Sequence, residues 1–486
     1  MAKAAAWTVG MRFAVRSIGL VSTVVLARLL QPADFGLVAF ASASLAAVEV
    51  FGQFGFDVAL IRQPNATRSY YDTIWTLSIL RGLLIGASLS LLGEPAASFF
   101  HDARVAPIVY CFAFGAVVEG FQNVGIVNFQ KDMTFGRDFA FNVALKLVGF
   151  VVTLTLAITL RQYWALVAGT VAGRVAALLL SYKMSNYRPR LCVAEWRNLL
   201  GFSKWLLLNN LILFLYSRMD TFIIGRMLGP HILGLYDISL EISTLPTAEL
   251  VSPIQRALYP GYAKLAGDGA QLNQHYLSTL AIILSIGFPA AVGIALLPHF
   301  IIEIFLGPSW VDAEPLLKLL SFLGLVQVCG ANAHPILTAL GRVRTLFQIY
   351  VIRLALLAAS LSAGVYYLGV MGAAYAVLFT SFVTLVLFVV ATMRALHLYW
   401  TNLILAVWRT LIAGAAMAAG VQFLLAMFPG TQSELLLILE LLGVIACGAS
   451  IYLAAHFTLW AIAGYPEGAE KAVLGIFRHI FARYAS

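Results

Sequence analysis

Apolar residues along this chain come in long runs separated by short charged or turn-rich breaks. Six such runs lie near 15–30, 36–60, 74–93, 105–127, 138–160 and 163–182. After a polar and basic stretch from Ser185 to Lys204, eight more follow near 205–226, 233–256, 277–299, 316–340, 347–368, 371–393, 403–427 and 435–457. An α-helix needs about 20 residues to cross the hydrocarbon of a bilayer, and these runs have that length. They do not alternate and are about twice as long as a spanning strand, so a closed barrel is excluded. The pattern predicts an all-α integral membrane protein with 14 transmembrane helices. Its weakest member is 233–256, which Asp237, Glu241 and Glu249 interrupt.

Composition agrees. Of 486 residues, 61% are hydrophobic and 11% charged, and the mean hydropathy is +0.90. An ordinary globular chain carries roughly 25% charge, so lipid is the solvent for most of these side chains. The net charge of +9 does not point to nucleic acid, because basic residues flanking spans follow from insertion with the positive side inward. With the N-terminus inside, the predicted cytoplasmic segments and adjoining helix ends hold 24 of the 31 Lys and Arg residues. Arg28, Arg104, Arg161, Arg226 and Lys318 fall outside, and Arg174 and Arg218 within spans. One missed helix would invert everything after it, so this bias places both termini in the cytoplasm. Lys3, Arg12 and Arg16 then lead into a first helix that is retained rather than cleaved. Cys111, Cys192, Cys329 and Cys447 lie far apart; no metal-ligand spacing, cofactor motif or disulfide framework is formed.

The chain also repeats itself. ARLLQPADFGLVAF around Ala27 and GRMLGPHILGLYDI around Gly225 share Arg-x-Leu, a proline and Gly-Leu. Arg28 aligns with Arg226, Pro32 with Pro230 and Gly36 with Gly234, all at an offset of 198. A fainter echo pairs GRDFAFNVALKL from Gly136 with GRVRTLFQIYVI from Gly341, at an offset of 205. The expected organisation is a six-helix bundle at 1–184, a cytoplasmic connector at 185–204, a second bundle at 205–394, a helix pair at 395–457 and a tail at 458–486. Six is even, so the two bundles are parallel repeats, a geometry that serves alternating access around a central cleft. The connector reads as a solvated loop, with amphipathic character from Trp196 on.

Ionisable residues at membrane depth face a cavity or a partner. Arg174, Arg218 and Asp220 stand out, with Arg28 and Arg226 at the repeated turns. An arginine at the cleft would hold a phosphate through its planar fork of donors. Arg28 and Arg226 can equally snorkel to the interface beside Pro32, Gly36, Pro230 and Gly234, which read as structural turns. Arg218 and Asp220 are two apart and point in different directions on a helix, so they do not neutralise one another directly. Asp57 and Asp220 are candidates for a coupling ion or for pairing with buried arginines. There is no GxxxxGK[ST], no HExxH and no pair of carboxylates on a large outer loop, so neither an ATPase nor another catalytic site is expected.

The stretch VVLARLLQPADFGLVAFASASLAAVEVFGQFGFDVALIRQ, from Val24 to Gln63, resembles the opening of bacterial polysaccharide exporters of the Wzx type, the WzxC-like group. The block from Arg218 through Asp220, IIGRMLG and LGLYD is similar to the start of that family's second half. The resemblance spans about residues 5–430 and places the chain in the multidrug/oligosaccharidyl-lipid/polysaccharide flippase superfamily. It implies a MATE-like flippase fold in the bacterial inner membrane. The implied substrate is an undecaprenyl-pyrophosphate-linked oligosaccharide unit, moved to the outer leaflet for exopolysaccharide or lipopolysaccharide synthesis. Membrane lipid and a polysaccharide polymerase are the implied partners. The alternatives are a cation-coupled multidrug exporter of the same fold and a flippase for lipid-linked peptidoglycan precursors. A membrane glycosyltransferase or ligase would need larger outer loops than these.

Overall fold

The computed structural model describes residues 2–52, 56, 60, 63, 66–196, 203–265, 267–427 and 434–465. Every regular element among them is helical. Twelve helices carry the architecture: α1 (Ala2–Leu29), α2 (Pro32–Glu49), α3 (Arg68–Phe100), α4 (Val105–Gly120), α5 (Phe135–Leu160), α6 (Trp164–Met184), α7 (Ser203–Leu245), α8 (Gly269–Leu296), α9 (Glu314–Gly330), α10 (Val343–Leu396), α11 (Trp400–Met427) and α12 (Glu434–Ile462). The protein is thus an all-α, multi-pass membrane chain. Large apolar side chains stand open on the outer faces of these helices; Leu91 is 80% exposed. In water such faces would be patches seeking a partner; in a bilayer they meet hydrocarbon.

Among the described residues ten helices are long and apolar enough to cross a membrane, and eleven with the pair Val105–Gly120 and Val124–Lys131, bent by 71°. The sequence pattern predicted 14. The predicted spans 347–368 and 371–393 both lie on α10, one of the ten, which is broken at Gly369 (φ 59°, ψ −140°). The predicted spans 205–226 and 233–256 both lie on α7, broken at Gly229 (φ 82°, ψ 179°). Arg218, Asp220, Arg226, Asp237 and Glu241 keep α7 outside the apolar set. Both breaks use conformations that a Cβ disfavours. Pro230 then opens the second limb of α7 as a first-turn proline, where its missing N–H costs nothing.

The chain divides into two compact units, Met1–Asp237 and Ile238–Ser486. In the first, α3 packs on α4, α5 on α6, α1 on α5, and α2 against α3 and α4. In the second, α8 packs on α9 and α11, α9 on α10, and α11 on α12. Its core centres on Val251, Ile283, Val328, Ile336 and Phe388. A polar pin crosses this core: fully buried Asn332 accepts from the Tyr262 hydroxyl at 2.7 Å and donates to the Tyr276 carbonyl at 3.1 Å.

The start of the connector is not a free loop. The Tyr187 hydroxyl and the Arg190 N–H both donate to Asp72 Oδ1 at 2.8 Å, and the Cys192 N–H donates to Thr76 Oγ1 at 2.9 Å. Asn123, fully buried, donates to the Tyr187 carbonyl at 2.7 Å. Residues 185–192 are strapped along the first turns of α3, because backbone groups of a short segment beside a bilayer find partners on the nearest polar helix end. Burial and the Asp72 hydrogen bond push the Tyr187 phenol well up.

Candidate functional site

Two clusters in the first unit combine residues distant in sequence. One is a half-buried charge network. Arg174, on α6, places Nη2 3.3 Å from Glu49 Oε1 and Nη1 3.3 Å from Glu119 Oε2. Glu119 turns its other oxygen to Arg81 Nη2 at 3.5 Å. Two cations and two anions from α2, α3, α4 and α6 thus form one neutral chain. Arg81 lies 13 residues into α3, about 20 Å from its start at 1.5 Å per residue, which is membrane depth. Four charges there are tolerated only because each is paired.

Small residues make room for this network. A Cβ at Gly82 would sit 2.9 Å from the Ala116 carbonyl and from Gly120 Cα, and one at Gly120 would sit 2.8 Å from the Ser78 carbonyl. Backbones of α3 and α4 therefore touch beside Arg81 and Glu119, and their side chains are brought level. Gly115 leaves the groove that the Arg174 stem occupies. Close approach through small residues is the usual way membrane helices pack.

The network separates two cavities. One, of about 470 Å³, is lined by Arg81, Glu119 and Asp138 among the amides of Gln122, Asn123, Gln130, Asn142 and Asn210, with Phe56 and Phe141. The other, of about 660 Å³, is lined by Arg174, Lys146, Thr170 and Thr153 and is otherwise mainly apolar. Glu119, Gln122, Phe141 and Asn142 face both. A polar molecule in the first cavity is therefore one side chain away from the second.

The second cluster is a helix crossing. A Cβ on Gly36 would run into the Pro230 carbonyl, and a Cβ on Gly234 into the Pro32 carbonyl. The residues that align at an offset of 198 in sequence meet each other in space, reciprocally. Next to the crossing, Phe40 stacks on Phe100 at 4.2 Å and Phe100 on Phe222 at 6.0 Å, while Gly225 leaves space for the Phe40 ring. Asp34 caps this end, accepting from the Gln31 N–H at 3.0 Å and the Tyr163 N–H at 2.9 Å.

The residues singled out from sequence fall in different places. Arg174 is in the charge network. Pro32, Gly36, Pro230 and Gly234 form the crossing. Arg226 lies near the crossing, donating to the Phe99 carbonyl at 2.7 Å and meeting His101. Asp220 is held inside α7, accepting from the Thr221 N–H at 2.8 Å and the Tyr236 hydroxyl at 3.2 Å. Arg218 is half-buried on the same limb, and Arg28 is exposed at the end of α1. Asp57 lies outside the described residues. Sequence reading passed over Glu49, Arg81 and Glu119. Arg81 was counted with the cytoplasmic flank because the run 74–93 is only part of a 33-residue helix. The available signal was an ionisable residue inside each of three apolar runs. Among the described residues no grouping of His, Cys, Asp and Glu could hold a metal ion.

A family profile described as polysaccharide biosynthesis protein matches residues 25–315. The lipopolysaccharide biosynthesis protein WzxC of Escherichia coli (strain K12) is 25% identical over 359 residues, 72% of this chain and 72% of that protein. The succinoglycan biosynthesis transport protein ExoT of Rhizobium meliloti (strain 1021) is 22% identical over 449 residues, 92% of this chain and 90% of its own length. Among solved structures, the lipid II flippase MurJ in an inward closed conformation superposes with a TM-score of 0.71 at 12% identity, covering 93% of this chain and 98% of that one. An inward-facing multidrug resistance MATE family transporter gives 0.61 at 15% identity, covering 78% and 94%. At these identities the solved structures speak for the fold.

Proposed function

The chain belongs to the polysaccharide biosynthesis protein family, and on that premise we propose that it flips undecaprenyl-pyrophosphate-linked oligosaccharide units across the bacterial inner membrane. It is a membrane transporter of the polysaccharide-export branch and not an enzyme. The observation that carries the reading is the paired charge network set between two cavities. A pyrophosphate and a glycan cannot cross hydrocarbon unaided. Arg174 and Arg81 are neutralised by Glu49 and Glu119. Each phosphate of a pyrophosphate offers a pair of oxygens to a guanidinium fork, as a carboxylate does, with more charge, so it can take the carboxylates' place. The amides of the first cavity suit sugar hydroxyls, each being donor and acceptor at once, and Phe56 and Phe141 supply ring faces.

For the architecture, the ten apolar helices, the bent pair, the second limb of α10 and the two limbs of α7 support 14 crossings. We read these as two parallel six-helix repeats and a C-terminal pair, both termini cytoplasmic, as the charge bias requires. The Gly36–Gly234 crossing joins the first turns of the two repeats and should part as access alternates. Arg218, Asp220, Arg28 and Arg226 remain candidates for substrate contact, and Asp57 for coupling or a buried pair. A polysaccharide polymerase is the expected partner downstream.

The test is flipping by the purified protein in proteoliposomes, with undecaprenyl-pyrophosphate oligosaccharide as substrate and an impermeant probe for glycan in the opposite leaflet. Protein-dependent translocation that falls with Arg174→Ala and Arg218→Ala, at equal membrane abundance, is expected. Transport of lipid-linked peptidoglycan precursor alone, or of soluble organic cations alone, would replace this substrate assignment.

A further inference from the structure

The second unit carries a pocket apart from the two cavities described above. Of about 370 Å³, it lies between the two limbs of α10, with Arg342, Thr345 and Gln348 at the start of the first and Arg394 in the last turn of the second. Because α10 runs out to Gly369 and back, both arginines lie at the same face of the membrane, at headgroup level. Below them the wall turns apolar, through Ile349, Ile352, Leu387 and Val390. Arg342 and Arg394 are both exposed, and neither guanidinium makes an ion pair or side-chain hydrogen bond among the described residues. That sets them apart from Arg81, Arg104 and Arg174, each paired with a carboxylate.

We propose that this pocket holds the phosphodiester of an anionic phospholipid, with Arg342 and Arg394 on the phosphate and an acyl chain along the Ile352–Leu387–Val390 wall. Two forked cations line one pocket where the described residues supply no anion, and Thr345 and Gln348 add hydrogen-bonding groups for a headgroup. Charge bias alone explains arginines at this face but not a cavity joining them to an apolar wall. Basic pockets between membrane helices on the cytoplasmic side are suited to lipid phosphate. The apolar wall selects a lipid over free phosphate, since water-borne phosphate gains nothing from it. The first unit does not offer the same chemistry at the echoing position. There GRD follows the turn in place of GRV, and Asp138 faces the amide-lined cavity.

The experiment uses the full-length chain in neutral detergent, with native mass spectrometry and thermal unfolding as readouts. Phosphatidylglycerol, phosphatidylcholine and inorganic phosphate are compared at equal phosphate concentration. Phosphatidylglycerol should stay bound and raise the unfolding temperature, and the other two should not. At about 1 kcal/mol per arginine near an anionic headgroup, Arg342→Gln with Arg394→Gln should weaken retention on the order of 30-fold. Arg342→Lys with Arg394→Lys should keep part of it. Both arginines are exposed, so the fold survives either change. Equal retention of phosphatidylglycerol by the Gln variant, equal retention of both lipids by the wild type, or a full thermal shift from inorganic phosphate alone would each overturn the proposal.

Discussion

Replacing Gly36 by alanine sets two effects against each other. Alanine is the better helix former by about 1 kcal/mol, so a glycine inside α2 with open space around it should gain stability on substitution. Gly36 has no such space, because its new methyl would meet the Pro230 carbonyl. That obstacle is backbone held by a proline, so the helices themselves must move apart. Overpacking costs about 1–3 kcal/mol, and against backbone the upper figure applies, leaving a net loss of about 2 kcal/mol. Gly234→Ala, which meets the Pro32 carbonyl, should lose a similar amount. The two losses should not add: once either methyl has separated the helices, the second finds room, and contacting sites couple by about 0.5–3 kcal/mol. Gly293→Ala is the control, since a methyl on that helical glycine would meet no atom within 4 Å; it should be neutral or stabilising. The assay is thermal unfolding of the four variants in one detergent. Unchanged stability in Gly36→Ala, or additive losses in the double variant, would refute the crossing as a tight shared contact. If the crossing parts during transport, about 2 kcal/mol also disfavours the crossed state by roughly 30-fold, and a cysteine at exposed Gln31 should then label faster in Gly36→Ala.

Three further outcomes follow from other parts of the chain. Arg174→Ala takes from Glu49 the guanidinium 3.3 Å away; with neither side chain fully buried the loss should be about 1–3 kcal/mol, and adding Glu49→Ala should recover part of it in the same unfolding assay. Gly369→Ala meets no atom within 4 Å but keeps φ 59° and ψ −140°, so backbone strain alone should cost about 1–3 kcal/mol, read as a lower unfolding temperature; no change would mean that the break tolerates a side chain. Hydrogen bonding from Ser69, the Ala194 N–H and Thr73 holds the Cys192 thiol below its ordinary range. More thiolate is then present at a given pH, so maleimide labelling of a chain retaining Cys192 as its one cysteine should rise at lower pH than in the same chain with Ser69→Ala. Identical pH profiles would show that the connector is not docked on α3.

The order of apolar and charged residues determined that the chain is helical and membrane-embedded, because a helix satisfies its own backbone in lipid and about 20 apolar residues suffice to span it. That signal is local, and α1 through α6, α8, α9, α11 and α12 follow it. The breaks between the predicted spans 205–226 and 233–256 and between 347–368 and 371–393 fall at Gly229 and Gly369; composition marked where each span ends, but not that the join is a positive-φ glycine within a broken helix rather than a loop. The repeated Arg, Pro and Gly at an offset of 198 were legible as a repeat. That Gly36 and Gly234 press on each other's prolines was not, since it depends on how two helices 198 residues apart lie across one another. The charge network is the sharper case. Arg174 was visible as an ionisable residue in an apolar run, but its partners Glu49 and Glu119, and Arg81 beyond them, depend on the rotation of four helices about their axes. Glycines 82, 115 and 120 set that rotation by letting backbone meet backbone. Hydropathy counts a glycine and a carboxylate one at a time; only packing decides which charges neutralise each other, and so which arginines an anion must win from a carboxylate.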